Sequence, residues 1–231
     1  MMPPIKENLA HRGNYGGSRS LSDIWFIVIH YTANDGDTDE NNGKYFKNND
    51  VDTSAHYFVD SDSITRSVPD NFIAWHCGTK GKYRHASCRN HNSIGIEICD
   101  DVKNGVIYPS AKTIENTLEL TRHLMQRYNI PKERIIRHFD VTSKKCPAFW
   151  VDDAKWKKEF WNRLGEDDMT KEDVIKIIQE YEAQKAKKPV DGWAKVAWEK
   201  IKKKGVMDGT APKGSVTREQ LAAILDRLGL L

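Results

Sequence analysis

The chain has 231 residues, of which 39% are hydrophobic and 30% are charged, and its net charge at pH 7 is +3. This length allows one core of about 150 residues plus a small further module. The charge excess is too small to indicate nucleic-acid binding, and no apolar run approaches the roughly 20 residues of a membrane span. Residues 1–20 contain no apolar segment of the secretory type, so we expect no signal peptide.

The first half of the chain carries strand patterns. Trp25 to Tyr31 (WFIVIHY) is a near-continuous apolar run, which is typical of a buried strand. Ala55–Asp60 and Ile64–Val68 flank a short polar turn and predict a hairpin. Ser93–Cys99 (SIGIEIC) alternates between apolar and other residues, which predicts a further strand.

Helices follow these strands and suggest the fold class. Ser110–Asn129 places its large apolar residues along one helical face. Arg134–Arg137 predicts another strand, and Asp153–Leu164 a closing helix. Strands that alternate with helices indicate an α/β domain, with a mixed central β-sheet flanked by helices.

A change of composition near residue 165 predicts a domain boundary. We expect a catalytic domain over 1–164, a helical linker over 165–190 and a small all-α module over 191–231. Thr170 is the expected N-cap of the linker helix, which would run to about Lys188. In the module, Thr217 with Gln220 predicts a capping box at the start of the last helix.

A metal site is suggested by the segment RHFDVTSKKCP, residues 137–147. It places His138 and Cys146 eight residues apart, and a catalytic zinc usually takes three such ligands. The best third ligand is His30, near the end of the first strand, where sites in open sheets commonly lie. Taken singly, each histidine is better explained by bonding to backbone, and Cys146 by burial as a small apolar residue.

Glu97 and Lys144 are the candidate catalytic groups. Glu97 shares one strand face with Gly95, opposite three isoleucines, so it points either to solvent or into a cleft in which Gly95 leaves room for substrate. Lys144 stands two residues before Cys146 and is otherwise a solvated loop lysine. The spacing of Cys77 and Cys88 is compatible with a disulfide and with two free thiols.

Five motifs occur in an order that resembles one family: VIHYTA at 28–33, SAHYFVD at 54–60, AWHCG at 74–78, NSIGIEI at 92–98 and RHFDVTSKKCP at 137–147. The chain resembles, over residues 20–164, the zinc-dependent N-acetylmuramoyl-L-alanine amidases of the peptidoglycan-recognition type, which include phage endolysins and bacterial autolysins. The resemblance implies Zn²⁺ held by His30, His138 and Cys146. It also implies a catalytic pair of Glu97 and Lys144, and a substrate cleft containing Trp75 and His76.

The implied reaction is hydrolysis of the amide bond between N-acetylmuramic acid and L-alanine in bacterial peptidoglycan. Glu97 would transfer the proton, and Lys144 would stabilise the oxyanion. Some phage members carry a tyrosine where this chain has Ala55, so that residue's role does not transfer; His56 and Tyr57 are interpreted as strand packing. The alternative function is a module that recognises peptidoglycan without cleaving it, as in relatives of this fold that lack the cysteine.

Residues 191–231 resemble a single S-layer-homology repeat, carried by Trp193, Gly205, the DGT at 208–210 and VTREQLAAIL at 216–225. The resemblance implies anchoring to wall polysaccharide, although one repeat of this size buries little core. The linker helix would pack on this module or pair with a second chain as a homodimer. The alternative is a helical tail that packs on its own catalytic domain. These features together are typical of an endolysin that accumulates in the host bacterial cytoplasm and then acts at the cell wall.

Overall fold

The computed structural model describes residues 2–78, 81–103, 105–165 and 171–231. Its internal contacts divide the chain into two units, Met1–Glu166 and Asp167–Leu231. Each unit is described by itself below.

Ten strands lie in the described part of the first unit. They are β1 Ile5–Glu7, β2 Tyr15–Ser18, β3 Phe26–Tyr31, β4 Tyr57–Val59, β5 Ile64–Arg66, β6 Phe72–Ala74, β7 Ser93–Ile98, β8 Asp101–Lys103, β9 Val106–Tyr108 and β10 Ile135–Arg137. Six of them form one sheet in the order β1-β5-β4-β7-β3-β10, and β2-β6 and β8-β9 form two small antiparallel pairs. In the large sheet only the β4–β5 pair is antiparallel, so the sheet is mixed and the predicted hairpin is confirmed.

Seven α-helices are found among the described residues. They are α1 Asp39–Asn48, α2 Ala111–Tyr128, α3 His138–Thr142, α4 Asp153–Trp156, α5 Lys171–Ala186, α6 Lys195–Lys203 and α7 Arg218–Arg227. The predicted closing helix is less regular than expected, because α4 continues as a π-helical turn over Lys157–Trp161 and then a 3-10 turn. No helix in these residues has the length and apolar character needed to cross a bilayer.

Strand β3 is buried on both faces, which explains its near-continuous apolar run. Ile27 and Ile29 join the main core, together with alternate residues of β7 and the apolar face of α2. Phe26 and Val28 belong to a smaller cluster on the other face. The mixed α/β fold predicted for this unit is therefore confirmed.

The ends of α2 match their sequence signals. The side chain of Ser110 accepts a hydrogen bond from the Thr113 amide, which supplies the N-cap. Asn129 closes the helix in the left-handed conformation, at φ +52°. The helix is thereby delimited where the sequence predicts.

The parallel arrangement brings the site to one edge of the sheet. Strands β3, β7 and β10 run in the same direction, so their carboxyl ends meet. His30 pairs in register with Glu97 across β3 and β7, and His138 begins α3 directly after β10. These three candidate residues therefore lie together although they are far apart in the chain.

The second unit contains α5, α6 and α7 and has very little core of its own. Val206 is the one buried residue among positions 175–231, whose side chains the structure describes. The capping box of Thr217 and Gln220 is present as expected. The expected cap at Thr170 lies outside the described residues. Trp193 is 88% exposed, so the expectation of a weak core is confirmed.

Candidate active site

His30, His138 and Cys146 form a buried cluster at the carboxyl edge of the sheet. Each offers one ligand atom, and these atoms lie within 4.8 Å of one another. Nδ1 of His30 is 3.7 Å from the Cys146 sulfur, and the rings of His30 and His138 are 4.6 Å apart between centroids. The structure thus assembles the three residues that the sequence selected as metal ligands.

Arg137 holds the junction at which His138 begins α3. The side chain of Arg137 spans the β10–α3 junction, donating to Asp140 and to the carbonyl of Trp150. Burial, followed by the charge of Lys144, lowers the pKa of His138 to about 4; the Gly78 backbone opposes that shift. Even so, among the described residues neither ring nitrogen has a hydrogen bond of normal geometry.

Cys146 lies in the loop after α3, so this helix separates it from the end of β10. Its sulfur is nevertheless buried, and burial followed by the charge of Glu97 raises the pKa of the thiol to about 12. The backbone amide of Tyr31 and the charge of Lys144 act in the opposite direction. Without a metal, Cys146 is therefore a neutral thiol at pH 7.

Glu97 points into a cleft rather than into bulk solvent. Its side chain is 20% exposed, and Oε1 lies 3.9 Å from Nδ1 of His30. Burial raises the pKa of this carboxyl to about 8, although the charge of Lys144 acts to lower it. Oε2 has no hydrogen-bond partner among the described residues. The interpretation as a cleft-facing carboxylate is therefore favoured over the solvent-facing one.

The cleft beside Glu97 has a volume of about 580 Å³. Lys144 and Tyr31 line it, together with polar residues before and within α1 and three further aromatic rings. Sequence reasoning did not identify Tyr31, although it directly follows His30. Its neighbours Cys146 and Glu97 are remote in sequence, so no local signal marks it.

His76 and Trp75 differ in their placement, although the sequence suggested a substrate-binding role for both. His76 is 7% exposed, and its Nδ1 lies 3.0 Å from Nε2 of His30. Trp75 is half-buried, next to Gly16. A Cβ atom on Gly95 would lie 2.5 Å from Cγ of His76. The expectation that Gly95 leaves room for substrate is therefore wrong, because the His76 ring fills that space.

A second group of metal-ligating type shares His30, with His76 and Cys77 as its other members. The 3.0 Å separation of the two histidine nitrogens is that of a direct hydrogen bond.

All four cysteines are free thiols, so the disulfide that the spacing of Cys77 and Cys88 allows is not formed.

His56 and Tyr57 are packing residues, as the sequence suggested. Nδ1 of His56 accepts the Gly95 amide at 3.0 Å, and its Nε2 lies against Arg19 and the Phe72 carbonyl. Tyr57 is buried in the main core, and its hydroxyl donates to Asp70 at 2.8 Å. Neither side chain reaches the cleft beside Glu97.

The donor set suits a borderline-soft divalent cation. Two imidazoles and a thiolate are ligands that Zn²⁺ accepts, and three protein ligands leave one position open. Both ring nitrogens of His138 are buried and lack a hydrogen-bond partner among the described residues, which is expected of a histidine that binds a metal. The residues present therefore fit a metal ion.

Comparison with known proteins identifies the family to which the chain is similar. A family model described as N-acetylmuramoyl-L-alanine amidase matches residues 20–149. The amidase CwlL of Bacillus licheniformis is 34% identical over 152 residues, which are 62% of this chain and 41% of CwlL. BlyA of Bacillus subtilis is 34% identical over 156 residues, 62% of this chain and 42% of BlyA. The chain thus spans about two fifths of the length of these relatives.

A solved structure extends the likeness to the fold. The catalytic domain of XlyA, an amidase of Bacillus subtilis, has a TM-score of 0.58 and 29% identity, covering 70% of this chain and 99% of that domain. The family model alone covers more than half of the chain. The chain therefore belongs to the N-acetylmuramoyl-L-alanine amidase family.

Proposed function

We propose that this chain is a peptidoglycan hydrolase that cleaves the amide bond between N-acetylmuramic acid and L-alanine. The observation that carries the proposal is the pairing of His30 with Glu97 across β3 and β7. It sets a carboxyl 3.9 Å from the ligand nitrogen of a buried His–His–Cys cluster. Family membership supports the same reaction.

His30, His138 and Cys146 would hold Zn²⁺, with Cys146 as the thiolate. Bound there, zinc supplies a Lewis acid that polarises the scissile carbonyl and makes water more acidic. Zinc binding by a thiol that is neutral in the metal-free protein would release a proton.

Glu97 would take the proton of the attacking water and return it to the leaving amine. Its pKa of about 8 is close to neutral pH, where a group can both accept and donate a proton. Lys144 lines the same cleft and would place its ammonium near the developing oxyanion. Tyr31 and the aromatic side chains of the cleft would orient the substrate beside them.

Metal analysis of the purified protein and mass spectrometry of digested peptidoglycan test the proposal. We expect about one zinc per chain and products with a free L-alanine amine. His30→Ala, His138→Ala and Cys146→Ala should each lose zinc and lysis, whereas Cys99→Ala, a buried cysteine outside the cluster, should keep both. Full zinc content in Cys146→Ala would refute the ligand assignment.

Two variants separate catalysis from metal binding. Glu97→Gln should keep zinc and lose about 10²–10⁴-fold in rate, the usual contribution of a general base. Lys144→Ala should behave in the same way, and its exposed neighbour Lys145→Ala should not. Zinc binding with no cleavage of any peptidoglycan would favour the alternative, a module that recognises peptidoglycan without hydrolysing it.

We also propose that residues 191–231 retain the enzyme on wall polysaccharide, as expected for an endolysin of a phage or prophage. The second unit has an open pocket of about 310 Å³, lined by Trp198, Asp208 and Arg227 among others. Ile177, Ile178 and Tyr181 of α5 are exposed, which supports pairing with a second chain. Sedimentation with purified walls tests retention, and a zinc-ligand variant keeps the walls intact during the assay.

A further inference from the structure

Behind His30 a row of hydrogen bonds leads away from the cleft. Nε2 of His30 is 3.0 Å from Nδ1 of His76, and Nε2 of His76 is 3.2 Å from the Ser93 hydroxyl. That hydroxyl donates at 2.7 Å to the carbonyl of Arg89. All three side chains are buried, so water does not compete for these contacts.

The direction of each bond follows from the last acceptor. A backbone carbonyl only accepts, so the Ser93 hydroxyl donates its single proton to the carbonyl of Arg89. The hydroxyl oxygen can then only accept a hydrogen bond from His76. Nε2 of His76 must then carry the proton.

The other nitrogen of His76 is thereby an acceptor. A neutral imidazole has one donor nitrogen and one acceptor nitrogen. With the proton on Nε2, Nδ1 has a lone pair to accept from Nε2 of His30. The Cys77 thiol, 3.2 Å from the same Nδ1, is also able to donate to it.

We propose that His76 is a positioning residue, which with Ser93 fixes His30 in the tautomer protonated at Nε2. The lone pair of His30 is then on Nδ1, the nitrogen that faces Cys146 at 3.7 Å and Glu97 at 3.9 Å. His30 is thus prepared to bind a metal before the metal arrives. A histidine ligand whose other nitrogen donates to a fixed partner is both oriented and more basic.

Gly95 is part of this arrangement. The His76 ring packs against its Cα, where any Cβ would lie between 2.5 and 2.9 Å from ring atoms. The His76 ring therefore has no room to turn toward β7. The role given to His76 rests on the proposed metal site, but the hydrogen bonds themselves do not depend on a metal.

The first test is the tautomer of His30 in the metal-free protein. Two-bond ¹H–¹⁵N NMR on uniformly labelled protein reports which ring nitrogen carries the proton, with His30 and His76 assigned from single variants. We expect Nε2–H on both rings at neutral pH. A proton on Nδ1 of either ring would overturn the proposal. A protein that binds no zinc would refute the proposed function but leave this measurement valid.

The second test compares two substitutions of His76. In His76→Asn the side-chain oxygen occupies nearly the position of Nδ1 and keeps the acceptor, whereas His76→Leu keeps the volume and removes it. We expect zinc affinity, measured by chelator competition, to fall about 10–100-fold in His76→Leu, the usual effect of losing such a partner. His76→Asn should recover most of it, and His123→Asn, an exposed histidine on α2, should change nothing.

Equal zinc affinities of His76→Leu and His76→Asn would show that the ring acts through its volume alone, which would overturn the positioning role. Unchanged affinity in His76→Leu would do the same. If His76→Leu does not fold, the tautomer of the unaltered protein decides the question by itself.

Discussion

Replacing Glu97 by glutamine should make the metal-free protein more stable while it removes the catalytic carboxyl. Glu97 sits in a site that disfavours its charge, since burial raises its pKa to about 8 from the ordinary 4.5. Glutamine has nearly the same shape and no charge. Oε2 of Glu97 has no described hydrogen-bond partner to lose, so the substitution mainly removes an unfavourable ionisation.

The size of the effect follows from the two pKa values. The folded protein holds the proton of Glu97 more tightly than the unfolded chain, so stability is lost as pH rises from about 4.5 and levels off above about 8. Linkage then gives a gain for Glu97→Gln of about 1 kcal/mol at pH 5, about 3 kcal/mol at pH 7 and about 5 kcal/mol at pH 9. The 20% of the side chain that reaches solvent makes these values upper limits.

Urea denaturation of both proteins at these three pH values, after removal of metal with a chelator, measures the gain. Glu133→Gln, at an exposed glutamate, is the matched control and should change stability by less than about 0.5 kcal/mol at every pH. A gain for Glu97→Gln that is the same at pH 5 and pH 9, or a loss of stability at pH 7, would refute the reasoning. Either result would mean that the charge of Glu97 is solvated, or balanced by an opposite charge, in the metal-free protein.

Three further predictions concern packing and domain roles. Gly95→Ala should cost about 1–3 kcal/mol in thermal unfolding because the new methyl group would overlap His76, whereas Gly17→Ala, with no atom within 4 Å, should cost far less. Phe160→Ala should cost about 3–5 kcal/mol because the ring is fully buried against two tryptophans; a cost below about 1 kcal/mol would contradict the described core. Truncation after Leu164 should leave a folded domain that still cleaves the amide bond. The truncated protein should sediment less with purified walls than the full chain, and equal sedimentation would exclude the proposed anchoring role.

Much of the fold could be predicted from local sequence patterns because the causes are local. The apolar run at Trp25–Tyr31 becomes β3 at Phe26–Tyr31, and Ser110 caps α2 as expected. The antiparallel hairpin of β4 and β5 also follows from its turn. The closing helix is the exception. Its pattern is helical, but the chain turns through π and 3-10 geometry between Lys157 and Gly165.

The types of residue in the site were equally visible in the sequence, since a metal ligand must be a histidine, cysteine or carboxylate wherever it lies. Their arrangement was not visible. His30 and Cys146 are 116 positions apart, and they meet only because β3 and β10 are parallel neighbours.

Tertiary structure alone decided what His76 and Gly95 do. The alternation of β7 places Gly95 on the face of Glu97, but the sequence does not say what fills the space above a glycine. In the fold that space is occupied by the ring of His76, whose Nδ1 lies 3.0 Å from Nε2 of His30. The physical reason is that side-chain contacts between separate segments depend on strand register and packing, which no local pattern of residues encodes.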